Sequence, residues 1–255
     1  MLPDPTKKFV CIVGSRKYTQ YGLDVVDHLL SNLRKDIYIV SGLAVGIDTA
    51  AHTAALKYGL KTIAFPGSGL SAEVLYPKAN IKLAQEISYA GCLVSEYAPD
   101  AVAQPWMFIK RNRLMAGMCH LTIVIEATEK SGTLTTARMA LDYNREVGAV
   151  PGNIFHKNSE GPHRLISQGA HVIRSADDIH TILGFDTQPQ LFETERTYTD
   201  EEQKIIDALL FLGTSSQDNV LRQTGLNPSQ FNKTLSMLEI KSYVRKSHEG
   251  LSLVR

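Results

Sequence analysis

Short apolar runs alternate with amphipathic stretches along the first 185 residues of the chain. Apolar runs without polar alternate positions are typical of parallel strands that helices cover on both faces. Seven runs predict strands: Phe9–Val13, Ile37–Ser41, Thr62–Phe65, Cys92–Ser95, Leu121–Glu126, Val147–Val150 and His171–Ile173. Five amphipathic stretches predict helices: Tyr21–Arg34, Ile47–Tyr58, Ala79–Ala90, Thr133–Asn144 and Pro162–Gln168. The alternation predicts an α/β domain over residues 1–185, doubly wound around a mainly parallel sheet.

The pattern changes at Gly184–Thr197, where Gly, Pro, Thr and Gln interrupt it and predict a linker over residues 186–197. Residues 198–255 then contain three helix-like stretches and a short hairpin. Thr199 can cap the first of these helices, and Pro228 suits the first turn of the third. The predicted helices are Asp200–Leu212, Gln217–Thr224 and Pro228–Ile240, and the hairpin strands are Tyr243–Ser247 and Leu251–Val254. This order is typical of a small winged-helix-like domain.

The composition is that of a globular protein, with 44% hydrophobic and 21% charged residues among 255. The three cysteines Cys11, Cys92 and Cys119 lie far apart and show no C-x-x-C spacing, which predicts reduced thiols in a cytoplasmic protein. The N-terminal residues lack an apolar signal-peptide core, and no run of about 18 apolar residues occurs. We therefore expect neither secretion nor membrane insertion.

The charge balance makes any nucleic-acid site a local feature. Lys and Arg total 27 against 26 Asp and Glu, a net charge of +1, so no global field draws the chain to a polyanion. The densest basic cluster is Lys110, Arg111, Asn112 and Arg113, and Trp106 and Phe108 precede it. Cations beside aromatic rings suit a single-stranded polynucleotide. The alternative is a solvated basic helix start whose aromatic residues lie in the core.

Glycine-containing turns follow the first three predicted strands. They are Gly14-Ser15-Arg16, Ser41-Gly42 and Gly67-Ser68. Glycine lets a phosphate approach the backbone closely, and Arg16 can bind it in a bidentate manner. Three such turns at one edge of the sheet favour a long anionic ligand over a compact one. For the first turn alone, a tight turn with a solvated arginine is an equally good interpretation.

The predicted strand Leu121–Glu126 leads into a hydroxyl-rich helix start. Lys130, Ser131, Gly132 and Thr133 can bind phosphate through main-chain N–H groups, hydroxyls and the ammonium group. Plain N-capping by Ser131 is the alternative, and both can hold together. Asp48 and His52 lie one turn apart on the second predicted helix. We expect them to be structural, as a helix-dipole partner and a hydrogen-bonded histidine.

The sequence contains no metal-ligand spacing, phosphate-binding P-loop or nucleophile-elbow motif. We therefore expect no catalytic residues, no metal and no cofactor. Glu96 and Glu126 end two predicted strands near the expected site and are candidate general bases. Pairing with Arg16, Arg111 or Arg113 is the simpler interpretation, because an unpaired carboxylate beside a phosphate site is unfavourable.

Taken in order, these segments resemble the DprA/Smf family of bacterial DNA-processing proteins, over about residues 9 to 174. The matching segments include Ile12-Val-Gly-Ser-Arg16, Ser41-Gly-Leu-Ala with Gly46-Ile-Asp and His52, Gly67-Ser-Gly-Leu with Tyr76-Pro77 and Asn80, Ser95-Glu96, Arg111-Asn-Arg113, Val124-Ile-Glu-Ala127, Ser131-Gly with Thr136-Ala, Ala149-Val-Pro-Gly152, and Leu165-Ile with Gly169-Ala. Val45 departs from the pattern, since the family usually has a basic residue there.

The resemblance implies a Rossmann-like fold, sequence-independent binding of single-stranded DNA, and loading of the RecA recombinase during natural transformation. It also implies a homodimer formed through the Rossmann-like domain. Carried over by position, the DNA contacts are Arg16, Arg111, Asn112, Arg113, Ser131 and Gly132. We expect the N-terminal helical domain of many relatives to be missing, because the chain begins almost at its first strand.

Two other functions remain open. Related Rossmann-like proteins of the LOG group cleave nucleoside monophosphates with a G-G-x-G-T segment and a catalytic Glu. Here the comparable stretch Ser131–Thr136 carries hydroxyls in place of that carboxylate. A winged-helix transcription regulator would need base-reading residues on its recognition helix, where Gln230, Asn232 and Lys233 are available.

Overall fold

The chain forms two compact units, Met1–Gln188 and Pro189–Arg255, each with its own buried apolar core. The computed structural model describes residues 4, 6–185, 198–241, 243–247 and 250–253. The linker predicted over 186–197 lies outside the described residues, as does Val254 at the end of the predicted hairpin.

A seven-stranded, fully parallel sheet forms the centre of the first unit, in the order β4-β3-β2-β1-β5-β6-β7. The strands are β1 Lys8–Val13, β2 Ile37–Ser41, β3 Thr62–Ala64, β4 Cys92–Leu93, β5 Leu121–Val124, β6 Glu146–Ala149 and β7 His171–Val172. The order reverses between β1 and β5, which is where a doubly wound sheet opens a crevice at its carboxyl edge. The predicted fold class is confirmed.

Helices cover both faces of this sheet. They are α1 Gln20–Ser31, α2 Ile47–Lys57, α3 Ile81–Ala90, α4 Pro105–Met118, α5 Gly132–Asp142, α6 Glu160–Ser167 and α7 Ala176–Ile182. One core cluster joins the sheet to α1, α2 and α7, and a second joins its other face to α4, α5 and α6. Helices α4 and α7 were not predicted from the sequence. The start of α7 does carry a sequence signal, because Ser175 and Asp178 form a capping box there.

Strand β1 shows why the apolar runs lack polar positions. Val10 and Ile12 are buried in the cluster under α1 and α2, whereas Phe9, Cys11 and Val13 are buried in the cluster under α4 and α5. The strand also pairs with β2 on one side and β5 on the other. Every side chain of such a strand meets protein, so alternation disappears from the sequence.

The described residues of the second unit form three helices and a hairpin, as predicted for a winged-helix-like domain. They are α8 Asp200–Leu212, α9 Gln217–Thr224, α10 Pro228–Ile240, β8 Val244–Ser247 and β9 Gly250–Leu253, with the two strands antiparallel. Its core surrounds the fully buried Phe231. Thr199 and Glu202 form a capping box at the start of α8, and Lys241 Nζ lies 2.6 Å from Glu202 Oε1.

Gly46 is a position in the first unit where a positive φ and a close backbone approach both disfavour a side chain. It precedes α2 with a φ of 99° and a ψ of −135°. A Cβ built there would lie 2.4 Å from the carbonyl oxygen of Ser15 and 2.7 Å from Cα of Arg16. The close approach brings the turn after β1 against the start of α2.

We predict that Gly46→Ala lowers the free energy of unfolding by about 3 kcal/mol, because it combines a disfavoured φ with a backbone collision. Gly59→Ala is the matched control, since Gly59 also has a positive φ but an added Cβ meets nothing within 4 Å. The control should lose about 1 kcal/mol. Denaturant titration measures both, and equal losses would contradict the role given to the contact at Gly46.

Candidate functional site

A cleft of about 200 Å³ opens at the carboxyl edge of the sheet, between the end of β1, helix α4 and the start of α5. We call it the central cleft. Six of the predicted site residues line it: Gly14, Arg16, Arg111, Asn112, Gly132 and Thr133. They come from three separate segments, namely the turn after β1, helix α4 and the start of α5. The topology thus brings together groups that lie more than 100 residues apart in the sequence.

The turn after β1 holds Arg16 on a fixed backbone. The carbonyl oxygen of Ser15 accepts a hydrogen bond from Ile47 N at 3.2 Å, and Ser15 Oγ accepts one from Lys17 N at 3.0 Å. Arg16 itself is exposed, and its guanidinium carbon lies 5.7 Å from the centre of the Phe108 ring. A cation over an aromatic face is stabilised by the quadrupole of the ring. Arg16 therefore offers a positioned, accessible charge at the cleft.

Glu126 holds the C-terminal end of the loop between β1 and α1, which carries Arg16. Its carboxylate is buried and accepts hydrogen bonds from Thr19 N at 2.9 Å and from Thr19 Oγ1 at 2.6 Å. Thr19 is in turn the N-cap of α1. The predicted pairing with an arginine is therefore wrong for Glu126, whose partner is the start of a helix. It is confirmed for Glu96, which forms a salt bridge with Arg113.

Arg111 is buried, with only 4% of its surface exposed, although the sequence analysis treated it as one of the accessible cations. Its Nη1 donates to the carbonyl oxygen of Gly42 at 2.6 Å, and its Nε donates to Asn112 Oδ1 at 3.1 Å. A Cβ on Gly42 would lie 2.6 Å from both Arg111 Nη2 and Asp48 Oδ2, so the two ionisable groups flank this glycine. Arg111 thus ties α4 to the turn after β2.

Asp48 is the charge that accompanies Arg111 in the interior. Its Oδ2 accepts hydrogen bonds from Gly42 N at 3.2 Å and from Ala44 N at 3.4 Å. Burial raises the pKa of Asp48, and the neighbouring Arg111 opposes that shift. Burial likewise lowers the pKa of Arg111, which Asp48 opposes. Each group offsets the desolvation of the other, since a buried charge is tolerated only with a partner.

The start of α5 forms the far wall of the central cleft. Ser131 Oγ accepts a hydrogen bond from Thr133 N at 3.2 Å, which confirms N-capping by Ser131. Thr133 Oγ1 donates to the carbonyl oxygen of Gly14 at 3.2 Å and so joins α5 to the end of β1. Gly132 and Lys130 are exposed, and a Cβ on Gly132 would meet nothing within 4 Å. The helix therefore presents an open, uncharged first turn beside Arg16.

The outer rim of the site combines exposed cations with aromatic rings. Lys110 is exposed, and its Nζ lies 5.8 Å from the centre of the Trp106 ring. Trp106 is 54% exposed, whereas Phe108 is half-buried against Gly67. The Tyr76 ring lies 5.5 Å from that of Phe108. Of the two aromatic residues singled out by the sequence analysis, only Trp106 offers a largely open face.

Four of the predicted site residues are buried on the β2 and β3 side of the site, namely Ser41, Gly42, Gly67 and Ser68. Ser41 Oγ donates to the carbonyl oxygen of Ile12 at 2.7 Å, and Ser68 Oγ accepts from Tyr76 N at 3.2 Å. Gly67 packs under Phe108. These residues shape the wall of the site. Their position at the ends of adjacent parallel strands was predictable, but their burial was not.

His52 is fully buried behind the site, on α2. Its Nδ1 lies 2.7 Å from Thr62 Oγ1. Since the Thr62 hydroxyl donates to the carbonyl oxygen of Ile39, Nδ1 carries the proton in this bond. Within the described residues Nε2 has no hydrogen-bond partner. Burial, reinforced by the charge of Arg111, lowers the pKa of His52 to about 3, so the imidazole is neutral at pH 7.

No group of three His, Cys, Asp or Glu side chains in the described part of the chain is arranged to hold a metal ion. In the same residues, no helix is both long and apolar enough to cross a membrane.

Fold and site together define a Rossmann-like α/β protein with a cation-rich cleft at the switch point of a parallel sheet, followed by a small helical unit. The chain belongs to the DNA recombination-mediator protein A family, whose model matches residues 2–184. This confirms the resemblance to the DprA/Smf proteins.

Named relatives support the assignment. The chain is 44% identical to the DNA processing protein DprA of Streptococcus pneumoniae over 170 residues, which cover 67% of this chain and 60% of the relative. It is also 44% identical to the DNA processing protein DprA of Bacillus subtilis over 169 residues, which cover 66% and 56%. The chain therefore matches somewhat more than half the length of these relatives.

Two solved structures share the fold. The X-ray structure of DprA from Streptococcus pneumoniae aligns with a TM-score of 0.65 and 41% identity, covering 69% of this chain and 62% of that one. DNA processing protein A from Helicobacter pylori, described for its single-stranded DNA binding mode, aligns with a TM-score of 0.62 and 31% identity, covering 70% and 80%.

We predict that His52 makes the stability of the protein depend on pH. Its pKa is about 3 in the folded chain and near 6.5 when unfolded, so its contribution is fully present above pH 6.5 and is lost as the pH falls towards 3. Between about pH 7.5 and pH 5.5 the unfolding free energy should lose about 1.4 kcal/mol more than that of His52→Gln. Parallel pH profiles for the two proteins would contradict a buried neutral imidazole.

Proposed function

We propose that this protein binds single-stranded DNA, independently of sequence, at the carboxyl edge of its parallel sheet, and that it acts in DNA processing during recombination. The observation that carries the proposal is the exposed Arg16 at the central cleft, with further exposed groups on α4, the helix that lines it. Lys110 and Trp106 are exposed on that helix, in a protein whose net charge is only +1. Family membership and the Helicobacter pylori relative support the same ligand.

The dimensions and chemistry of the site favour a single strand. A cleft of about 200 Å³ has room for part of one nucleotide and not for a duplex. Gly132 leaves the main chain at the start of α5 accessible on the cleft that Arg16 also lines, and N–H groups at a helix start suit phosphate oxygens. The exposed indole of Trp106 offers a surface to any base, since every base has a π face. Binding of this kind discriminates little between sequences.

The proposal extends to the cellular role. Family membership supports loading of the RecA recombinase onto the bound strand, a homodimer formed through the Rossmann-like unit, and work in the cytoplasm during natural transformation. A non-catalytic role fits the engagement of Glu126, because both of its oxygens already accept hydrogen bonds from Thr19. A general base must come within hydrogen-bond reach of substrate, whereas Glu126 is buried and bonded to the N-cap of α1.

The alternative functions find less support. A LOG-like phosphoribohydrolase needs a carboxylate after its Gly-rich turn, and Thr133 and Thr136 stand in that stretch, the first bonded to Gly14. A winged-helix regulator needs base-reading side chains on α10. There, Asn232 Oδ1 accepts from Gln217 and Gln230 Oε1 accepts from Asn227, so both amides are engaged within the domain.

We predict that Arg16→Ala weakens binding of single-stranded DNA of any sequence by about tenfold, because one phosphate contact is lost. The slope of log affinity against log salt should fall by about 0.7 in magnitude. Fluorescence anisotropy with labelled oligonucleotides at several salt concentrations measures both quantities.

The matched control for this variant is Lys61→Ala. Lys61 is an exposed cation that immediately precedes β3 and so lies at the amino edge of the sheet. It should keep the affinity and salt slope of the unchanged protein. Equal effects of the two variants would show that binding follows total charge and not the central cleft. Arg111→Ala is unsuitable as a probe of contact, since losing this buried guanidinium destabilises the fold.

We further predict that residues 1–188 alone bind single-stranded DNA within about twofold of the full chain, since the exposed cations and rings of the site all belong to this unit. The second unit instead begins with an acidic helix, in which Asp200, Glu201 and Glu202 occupy the first turn. Anisotropy on single-stranded and duplex DNA compares the two proteins. A folded truncated chain that had lost most of its single-strand affinity would place the DNA site in the second unit.

A further inference from the structure

Trp106 is the only tryptophan of the chain, and its exposure is unusual for this residue type. It lies in the first turn of α4, directly after Pro105, and 54% of its surface is exposed. Tryptophan is on average one of the most buried side chains, so a half-exposed indole in a helix is a candidate contact surface for a ligand or partner.

The surroundings of Trp106 fix the ring without covering it. The Tyr97 ring meets the indole almost perpendicularly, at 85° and with 6.0 Å between ring centres. The Tyr97 hydroxyl donates to the carbonyl oxygen of Met107 at 3.2 Å, which ties the tyrosine to the same helix. An aromatic side chain held in one orientation loses little conformational entropy when a ligand stacks on it.

We propose that Trp106 stacks on a nucleobase of the bound strand and so forms a base subsite outside the central cleft. The inference rests on the proposed function and adds to it the position and chemistry of a second contact. Lys110, whose Nζ lies 5.8 Å from the indole centre, supplies a cation for the phosphate of the stacked nucleotide. Base stacking beside a lysine is how proteins hold single strands without reading sequence.

Helix α4 connects this subsite to the central cleft, since residues of both lie on it. Arg16 lines the central cleft and also lies over the Phe108 ring, so it marks the exit from the cleft on the side of α4. Phe108 lies two residues from Trp106, which places the two rings on opposite sides of the helix, and Phe108 is half-buried against Gly67 and Tyr76. Trp106 therefore offers a stacking surface on the outer side of α4, separate from the cleft that Phe108 lines.

A protein partner is the competing occupant of this surface. Val102 and Ile109 are both more than half exposed near Trp106, and apolar groups of this kind also suit a protein contact. The charges favour nucleic acid, since the exposed Lys110 lies on the same helix and no acidic residue occurs in α4 itself. The experiment below separates the two occupants.

The first arm of the test uses the intrinsic fluorescence of the full chain, which reports on Trp106 alone among tryptophans. A short oligothymidylate should quench the emission, with a midpoint equal to that of the anisotropy change of the same labelled oligomer. An oligomer of equal length that lacks its bases has the same phosphates, so it should bind more weakly and leave the emission almost unchanged.

The second arm uses two substitutions at the same position. Trp106→Leu keeps an apolar contact for Tyr97 but removes the stacking face, and it should weaken binding of the oligothymidylate by about tenfold. Trp106→Phe keeps an aromatic face and should lose about twofold. Neither variant should change affinity for the base-free oligomer, since the phosphate contacts are intact. Unfolding midpoints within error of the unchanged protein verify that both variants are folded.

Two results would overturn the inference in different ways. Tight binding of the oligothymidylate with unchanged emission and unchanged affinity in Trp106→Leu would show that the indole is not a base subsite, while the proposed function would stand. This outcome would leave a protein partner as the occupant of the surface. Absence of single-strand binding by the unchanged chain would remove both the subsite and the proposed function.

Discussion

The buried guanidinium of Arg111 is the interaction on which the geometry of the site depends. It connects α4 to the turn after β2 through the carbonyl oxygen of Gly42, and Asp48 supplies the compensating charge from α2. A buried ion group is tolerated only when partners replace its water, so this arrangement permits one placement of α4. Gly42 is needed at that point because a side chain there would collide with both charged groups.

This internal tie explains why the accessible groups of the site lie where they do. With Arg111 directed inwards, its neighbour Lys110 and the earlier Trp106 lie on the solvent side of α4. Hydrogen bonds at Ser15 and Thr19 hold the loop that carries Arg16 at both ends. The backbone that carries the accessible cations is thus held by hydrogen bonds, while the cationic side chains themselves are exposed to solvent. A fixed backbone with exposed cations suits a ligand of variable sequence and conformation.

Much of the fold was predictable because parallel strands leave a strong signal. Apolar runs located all seven strands of the large sheet to within three residues at each end, as for Phe9–Val13 against the observed Lys8–Val13. Helix α4 was not predictable in the same way, because Met107 and Met115 face the core while Trp106 and Ile109 face solvent. Apolar residues on both sides of a helix weaken the periodic signal that reveals an amphipathic one.

The site was predictable in its residue types and less so in their roles. Gly14, Arg16, Gly132 and Thr133 do meet at one cleft, since parallel strands end at one edge. Burial of Arg111 was not predictable, because Lys110, Arg111 and Arg113 are equivalent in a linear sequence and only tertiary packing separates them. The same holds for Glu126, whose partner Thr19 lies 107 residues away.

The most direct test of the account is hydrogen–deuterium exchange of the full chain with and without a short single-stranded oligonucleotide. The account predicts slower exchange in the turn after β1, at the start of α4 and at the start of α5, and no change at the amino edge of the sheet around Lys61. Protection confined to α10 and the β8–β9 hairpin, with none around Arg16, would contradict the claim that the carboxyl edge is the DNA-binding surface.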